Sequence, residues 1–191
     1  MTSELASIDN IEKSCLHLAF YLASWGMYRG SSFLLKDTSV KHFEPLIKEM
    51  SKLENITYWE IDADNYTEEN IALLIKCKEM IVKHLEVGEH KEDTLVTKVM
   101  LGVYGNTPAF DRNFKAGIKE EGLSINTFNK KALRKVGEFY QKYKTEFDNE
   151  KIPTIDFITG KDTNIMYTKA KLIDMAAFQV GGKINSIDKT D

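Results

Sequence analysis

Three groups of residues in this chain have types and spacings that can do chemistry. The first is Asp111, which closes the run Tyr104-Gly-Asn-Thr-Pro-Ala-Phe-Asp111 after an apolar segment and just before a new helical pattern. A carboxylate at a helix start either caps the helix or presents a fixed negative charge to a cationic reaction centre. Both roles stay open for Asp111. The second group is Trp25, Tyr28 and Arg29, at a helix end and on a turn relaxed by Gly26 and Gly30. Two aromatics and a guanidinium can sandwich a planar base and bond its edge. The same residues can instead be a packed Trp and an Arg capping a helix C-terminus. The third group is basic. From Arg112 to Lys144 stand Arg112, Lys115, Lys119, Lys130, Lys131, Arg134, Lys135, Lys142 and Lys144, against Glu120, Glu121 and Glu138. Nine cations less three anions leave +6, so a chain of net charge −3 carries −9 elsewhere. A basic stripe beside an acidic remainder is the footprint of a surface that reads a phosphate backbone. A solvated helix face gives the same spacing. The candidate DNA backbone contacts are Arg112, Lys115, Lys130, Lys131, Arg134 and Lys135.

Other chemistries find no residues to carry them. His17, His42, His84 and His90 form no HExxH, and no CxxC exists, so neither a metal nor a cofactor is expected. Gly26 to Ser32 is neither a P-loop nor a dinucleotide-binding turn. No GxSxG occurs, and Cys15 lacks a catalytic partner set. Cys15 and Cys77 each sit in an apolar run, which suits free buried thiols in a reducing compartment; a disulfide between them is the alternative. The first ten residues, MTSELASIDN, lack the basic start of a signal peptide. Leu16 to Ala23, the most apolar stretch, is far too short to span a bilayer. A cytoplasmic protein with no membrane partner is the expectation.

These groups must be positioned by helices. The chain has 191 residues, 42% apolar and 29% charged, with three prolines. That length and composition predict a single globular domain, and the apolar spacing makes it helical over residues 1–182 with a frayed tail over 183–191. The expected fold class is all-α, one compact globule of about seven helices. A first helix follows Asp9 or Asn10. A second fits Ser39 to Leu53, starting near Glu44 or kinked by Pro45. Thr67, followed by Glu68 and Glu69, starts a long amphipathic helix that ends near Gly88. Thr94 to Val103 is a core helix stopped by Gly105 to Pro108. The next begins at Ala109 or Phe110 and ends by Gly122. Another is capped by Ser124 or Asn126. Pro153 and Thr159 to Asn164 read as loops, and Thr57 to Ile61 as a loop or solitary extended piece. A last helix, Tyr167 to Val180, is closed by Gly181 and Gly182.

The order from Thr97 to Phe114 is an apolar helix, a proline-bearing turn and an aspartate at a helix start. It resembles the core of the helix-hairpin-helix DNA glycosylases. In that superfamily an aspartate of P-x-D pattern faces the scissile base–sugar bond. Pro108-Ala-Phe-Asp111 is one residue longer, and the family's L-P-G-V-G hairpin is reduced here to Leu85-Glu-Val-Gly88. The resemblance implies a hydrolase that flips a base from the duplex; repair, or antiviral defence against modified foreign DNA, is the setting such an enzyme could serve. It implies that Asp111 stabilises the developing sugar cation or orients a water. Trp25, Tyr28 and Arg29 would then line the base pocket, and the stripe would hold the DNA. Lys98 stands where a Schiff-base lysine is sought, nearer to Asp111 than in the bifunctional members; it reads as a core-helix lysine reaching solvent. The alternative class is a non-catalytic helical module that binds nucleic acid or protein. An enzyme needs Asp111 in a concave site rimmed by the stripe. The module leaves Asp111 exposed with no pocket beside it.

Overall fold

The computed structural model describes residues 7, 9–30, 32–86 and 92–187. Apolar residues three and four apart make helices of most of them. In chain order these are α1 (Ile11–Ser24), α2 (Phe33–Lys36), α3 (Glu44–Met50), α4 (Glu68–Leu85), α5 (Glu92–Val103), α6 (Arg112–Glu120), α7 (Lys130–Lys142), α8 (Lys144–Asn149) and α9 (Lys169–Ile187). Turns of 3-10 helix cover Val40–Phe43, Leu53–Glu60 and Ala63–Asn65. The nine α-helices among the described residues exceed the seven expected. The surplus includes α2 and α8, of four and six residues, too short for an apolar period to register. Leu53–Glu60 coils where a loop or extended piece was expected.

Among the described residues the strands are confined to one small antiparallel hairpin, β1 (Pro153–Ile155) with β2 (Asp162–Met166), where loops were expected. Pro153 lies opposite Met166 and Ile155 opposite Asp162, with a bulge between. Strands of three and five residues with Thr, Asn and Asp among them show no apolar alternation. The hairpin turn is held by Asp156, whose Oδ1 accepts from the Thr159 N–H and hydroxyl, both at 2.7 Å.

Local signals set most helix ends. Pro45 sits in the first turn of α3, where its missing N–H costs nothing, so the helix starts at Glu44 without a kink. The Thr67 hydroxyl accepts from Asn70 N at the start of α4. That helix stops at Leu85; Gly88, its expected stop, lies outside the described residues. α6 begins at Arg112, later than expected, because Asp111 caps it. α7 is capped by Asn129 through Ala132 N at 2.9 Å, not by Ser124 or Asn126.

The largest departure is α9. It runs through Gly181 and Gly182 and takes in Lys183 to Ile187, expected to fray. The reason is its packing on α6. A Cβ on Gly181 would lie 1.8 Å from the Asn113 carbonyl oxygen, and one on Gly117 would lie 1.9 Å from that of Ala177. The two helices therefore cross backbone to backbone, which only glycine at both points allows. The Asn185 side-chain amide donates a hydrogen bond to Asn113 Oδ1 at 2.8 Å. The core that α1, α3, α4, α5 and α7 share includes Leu22, Leu46, Leu74, Val99 and Val136. Cys15 and Cys77 are free and buried in it, and burial raises both thiol pKa values.

Candidate functional site

The loop from Gly105 to Asp111, between α5 and α6, gathers most of the buried polarity of the molecule. Among the described residues the buried polar side chains are Asn55, Thr97, Lys98, Asn106, Thr107 and Asp174. All but Asn55 lie in this loop or bond to it. The Phe110 N–H donates to Thr97 Oγ1 at 2.8 Å, and the Thr94 hydroxyl donates to Phe110 O at 3.2 Å. The Ala109 N–H donates to Asp174 Oδ1 at 2.9 Å. The Tyr66 hydroxyl reaches Asn106 O at 2.7 Å, and the Thr168 hydroxyl reaches Gly105 O at 2.6 Å. Side chains from distant parts of the chain thus hold the loop in one shape, which is how a site is kept within tenths of an ångström.

Asp111 stands at the end of this loop. Its Oδ1 accepts from Phe114 N at 2.9 Å, the capping bond. Its Oδ2 accepts from Lys98 Nζ, also at 2.9 Å. The Asp111 and Lys98 side chains are 14% and 4% exposed. Lys98 therefore does not reach solvent, contrary to the sequence expectation. Its ammonium is turned inward between the Asp111 carboxylate and the face of Trp25, 4.3 Å from the ring centroid. A second ammonium, that of Lys171, lies 5.1 Å from the same centroid and 3.6 Å from Asp174 Oδ2. Burial raises the Asp174 pKa, and the charge of Asp111 adds to this. The Ala109 N–H and the two lysines oppose the rise. The result is an alternating cluster of two carboxylates and two ammoniums around one indole.

The three expected pocket residues part company. Trp25 is joined to Asp111 through Lys98, and Phe178 and Tyr21 meet its ring edgewise at 5.7 and 6.3 Å. Tyr28 packs on the core with its hydroxyl buried. Arg29 is exposed and folds over Gly26, its guanidinium carbon 3.0 Å from where a Cβ would stand. No hydrogen bond, ion pair or ring contact links Tyr28 or Arg29 to Asp111 among the described residues. Of the three, Trp25 alone joins the cluster around Asp111 and it lines none of the three clefts; beyond the turn at Gly26, Tyr28 packs on the core and Arg29 turns to the surface.

The basic stripe is partly neutralised. Arg134 makes a bidentate pair with Glu68 at 2.6 and 2.7 Å. Lys135 donates to the Ser124 carbonyl. Lys142 pairs with Glu121 at 3.0 Å, and Lys144 pairs with Asp148. Arg112, Lys115, Lys119, Lys130 and Lys131 form no ion pair among the described residues, and all but the half-buried Lys115 are exposed.

A cleft of about 380 Å³ opens beside the cluster, lined by Tyr21, Gly102, Thr154, Met166, Tyr167 and Lys171 among others. Tyr21 and Lys171 both also meet Trp25, so they connect cleft and cluster. Asp111 lines neither this cleft nor two others of similar size, one at the start of α7 and one between α6 and α9. Sequence reasoning missed Lys171 and Asp174. A signal existed: Asp174 shares the face of Ala170, Ile173 and Ala177, all of them buried. A carboxylate in an apolar stripe marks a paired or working group.

Among the described residues no His, Cys, Asp and Glu side chains group into a metal site, and no helix is long and apolar enough to cross a membrane. Comparison with protein families, curated proteins and solved structures finds no match.

Proposed function

We propose that this chain is a DNA glycosylase-like hydrolase that cleaves the N-glycosidic bond of a damaged or modified base. One observation carries the reading: Asp111 is a carboxylate fixed at both oxygens, at the end of a loop pinned by buried polar side chains. Such burial costs stability unless every group is paired, and active sites are where that cost is commonly borne. In this reading the base–sugar C–N bond breaks, its electrons leave with the base, and the sugar becomes cationic. The Asp111 carboxylate stabilises that cation. Water adds at the sugar carbon, and the proton it gives up ends on the departed base, which leaves neutral. Lys98 sets the direction of Oδ2. The base is extruded from the duplex to bring its sugar to Asp111, and Arg112, Lys115, Lys130 and Lys131 hold phosphates. Repair, or defence against modified foreign DNA, in the reducing cytoplasm is the setting that fits Cys15 and Cys77 as thiols.

The test is a screen of oligonucleotides bearing varied base modifications for alkali-labile abasic sites. Asp111→Asn should slow base release at least ~100-fold while DNA is still bound. Because this substitution also strands Lys98, the double variant Lys98→Met/Asp111→Asn serves as the folded control. Base release at the wild-type rate by that control overturns the reading. A second reading is a non-catalytic helical binding module. It is favoured by the hydrogen bond that each Asp111 oxygen already accepts and by the absence of Asp111 from the three clefts. It expects no base release from any modified oligonucleotide.

A further inference from the structure

Lys171 is the cation of the charged cluster whose bonding is incomplete. Its side chain is 21% exposed, and its ammonium lies 3.6 Å from Asp174 Oδ2, too long for a hydrogen bond. Its other neighbour is the Trp25 ring, 5.1 Å away at the centroid. Lys78, Lys98 and Lys169, with side chains 20%, 4% and 15% exposed, each donate a hydrogen bond, to Asp93, Asp111 and the Phe147 carbonyl. Lys171 Nζ donates none among the described residues. An ammonium has three N–H donors, and leaving them unmet away from bulk water is costly. Asp174 and the indole stand on its inner side. Its open side is the cleft of about 380 Å³ that it lines. Tyr21, Tyr104 and Tyr167 line the same cleft, and Leu101, Val103 and Met166 add apolar surface. The hydroxyls of Tyr21 and Tyr104 are buried, so these two present ring rather than oxygen. The Thr154 and Thr168 hydroxyls are engaged by Thr163 and by the Gly105 carbonyl. The Tyr104 and Gly105 N–H groups are taken by Met100 O, both at 3.0 Å. No carboxylate is among the described residues that line the cleft, so Lys171 carries its only charge.

We infer that this cleft binds a small aromatic monocarboxylate, with its ring among the tyrosines and its carboxylate on Lys171 Nζ. Sites for small molecules have this size, are mostly apolar, and hold a few polar groups that fix orientation. Aromatic walls suit a flat body. One ammonium neutralises one negative charge. A phosphoryl group carries more charge and more acceptor oxygens and calls for several donors, whereas the neighbouring amides and hydroxyls are already engaged. The inference does not depend on the proposed activity. Because Lys171 also faces Trp25, the indole senses whether the cleft is occupied.

Phenylacetate is the probe. Calorimetric titration of the full chain should show one site with a Kd on the order of 1 mM, within the range open to a ligand of so few atoms. Phenylacetamide keeps the ring and loses the charge, and should bind at least ~10-fold more weakly, the scale of one hydrogen bond to a charged group. Acetate and inorganic phosphate, which lack the ring, should fall behind by as much. The chain has two tryptophans, so in a Trp59→Phe background the fluorescence reports on Trp25 and should follow the same isotherm. Lys171→Met should weaken phenylacetate at least ~10-fold. Met166→Glu is the second variant, at a residue 43% exposed. Its carboxylate stands in the same cleft and competes for Lys171, so it should weaken binding with unchanged circular dichroism. The absence of saturable binding overturns the inference. So does phenylacetamide or phosphate that binds as tightly as phenylacetate, or a heat of binding with no change at Trp25. A folded Lys171→Met or Met166→Glu chain of wild-type affinity overturns it as well.

Discussion

A buried ammonium and a nearly buried carboxylate 2.9 Å apart depend on each other. Each is costly to take from water, and their attraction offsets this only while both are charged. Asp111→Asn keeps the capping bond to Phe114, since Asn caps as well as Asp, but it leaves Lys98 an unpaired cation. We expect a loss of about 3 kcal/mol in denaturant unfolding, most of it recovered in Lys98→Met/Asp111→Asn. Single and double variants of equal stability would show that the pair is not coupled. Asp174 makes a second residue-scale prediction. Its folded pKa is raised by burial above 3.8, so between the two values the native state holds the extra proton. Its contribution to stability is therefore fullest below pH ~4 and is lost as pH rises through the folded pKa. Asp174→Asn should flatten this decline in a plot of thermal midpoint against pH. A variant whose plot parallels the wild type above pH ~4 would rule Asp174 out as the source.

The crossing of α6 and α9 reverses an ordinary rule about helices. Replacing a helical Gly by Ala usually stabilises by up to ~1 kcal/mol. At Gly117 and Gly181 the new methyl would meet a backbone carbonyl of the facing helix, which cannot step aside as a side chain can. Each substitution should cost about 2 kcal/mol or more. Gly182 is the internal control. It is helical in the same turn of α9, and its Cβ would approach nothing nearer than the Asn113 amide nitrogen at 3.9 Å. Gly182→Ala should raise the thermal midpoint. Equal effects at Gly181 and Gly182 would mean that helix propensity, not the crossing, governs this stretch. Because Asp111 caps α6 and α9 carries Lys171 and Asp174, the crossing also sets the spacing of the charged cluster.

Across the whole molecule, the distribution of charge is not the distribution of available charge. Four of the nine cations between Arg112 and Lys144 are engaged: Arg134 by Glu68, Lys135 by a carbonyl, Lys142 by Glu121 and Lys144 by Asp148. If the surface binds DNA, charge reversal at Lys119, Lys130 and Lys131 should weaken binding of every sequence alike. It should also lower the salt slope by about 0.9 for each phosphate that is no longer neutralised. Reversal at Arg134 should change affinity less, and should act on stability through Glu68, whose pKa its guanidinium lowers. Titrations at several salt concentrations separate the two groups. An Arg134 variant that binds as weakly as the triple variant would show that the Glu68 pair opens on the nucleic acid.

What could be read from the chain alone was whatever depends on neighbours within a few positions. The 3.6 period, the Thr67 cap, the stop at Gly105 and the start of α3 at Glu44, set by Pro45, are of this kind, because each is settled by a side chain and the backbone one turn away. The importance of the Thr97 to Phe114 segment was legible for the same reason. Its partners were not. Asp62 accepts from the N–H groups of Lys169 at 2.6 Å and Ala170 at 2.7 Å, at the start of a helix more than a hundred residues later. Glu68 meets Arg134 across 66 positions, and Lys98 meets Asp111 and Trp25 only where α1, α5 and the loop converge. Gly181 and Gly182 look like a helix end until α6 lies against them. In each case the deciding quantity is desolvation or close approach, which belongs to the packed chain in space and has no counterpart in local sequence.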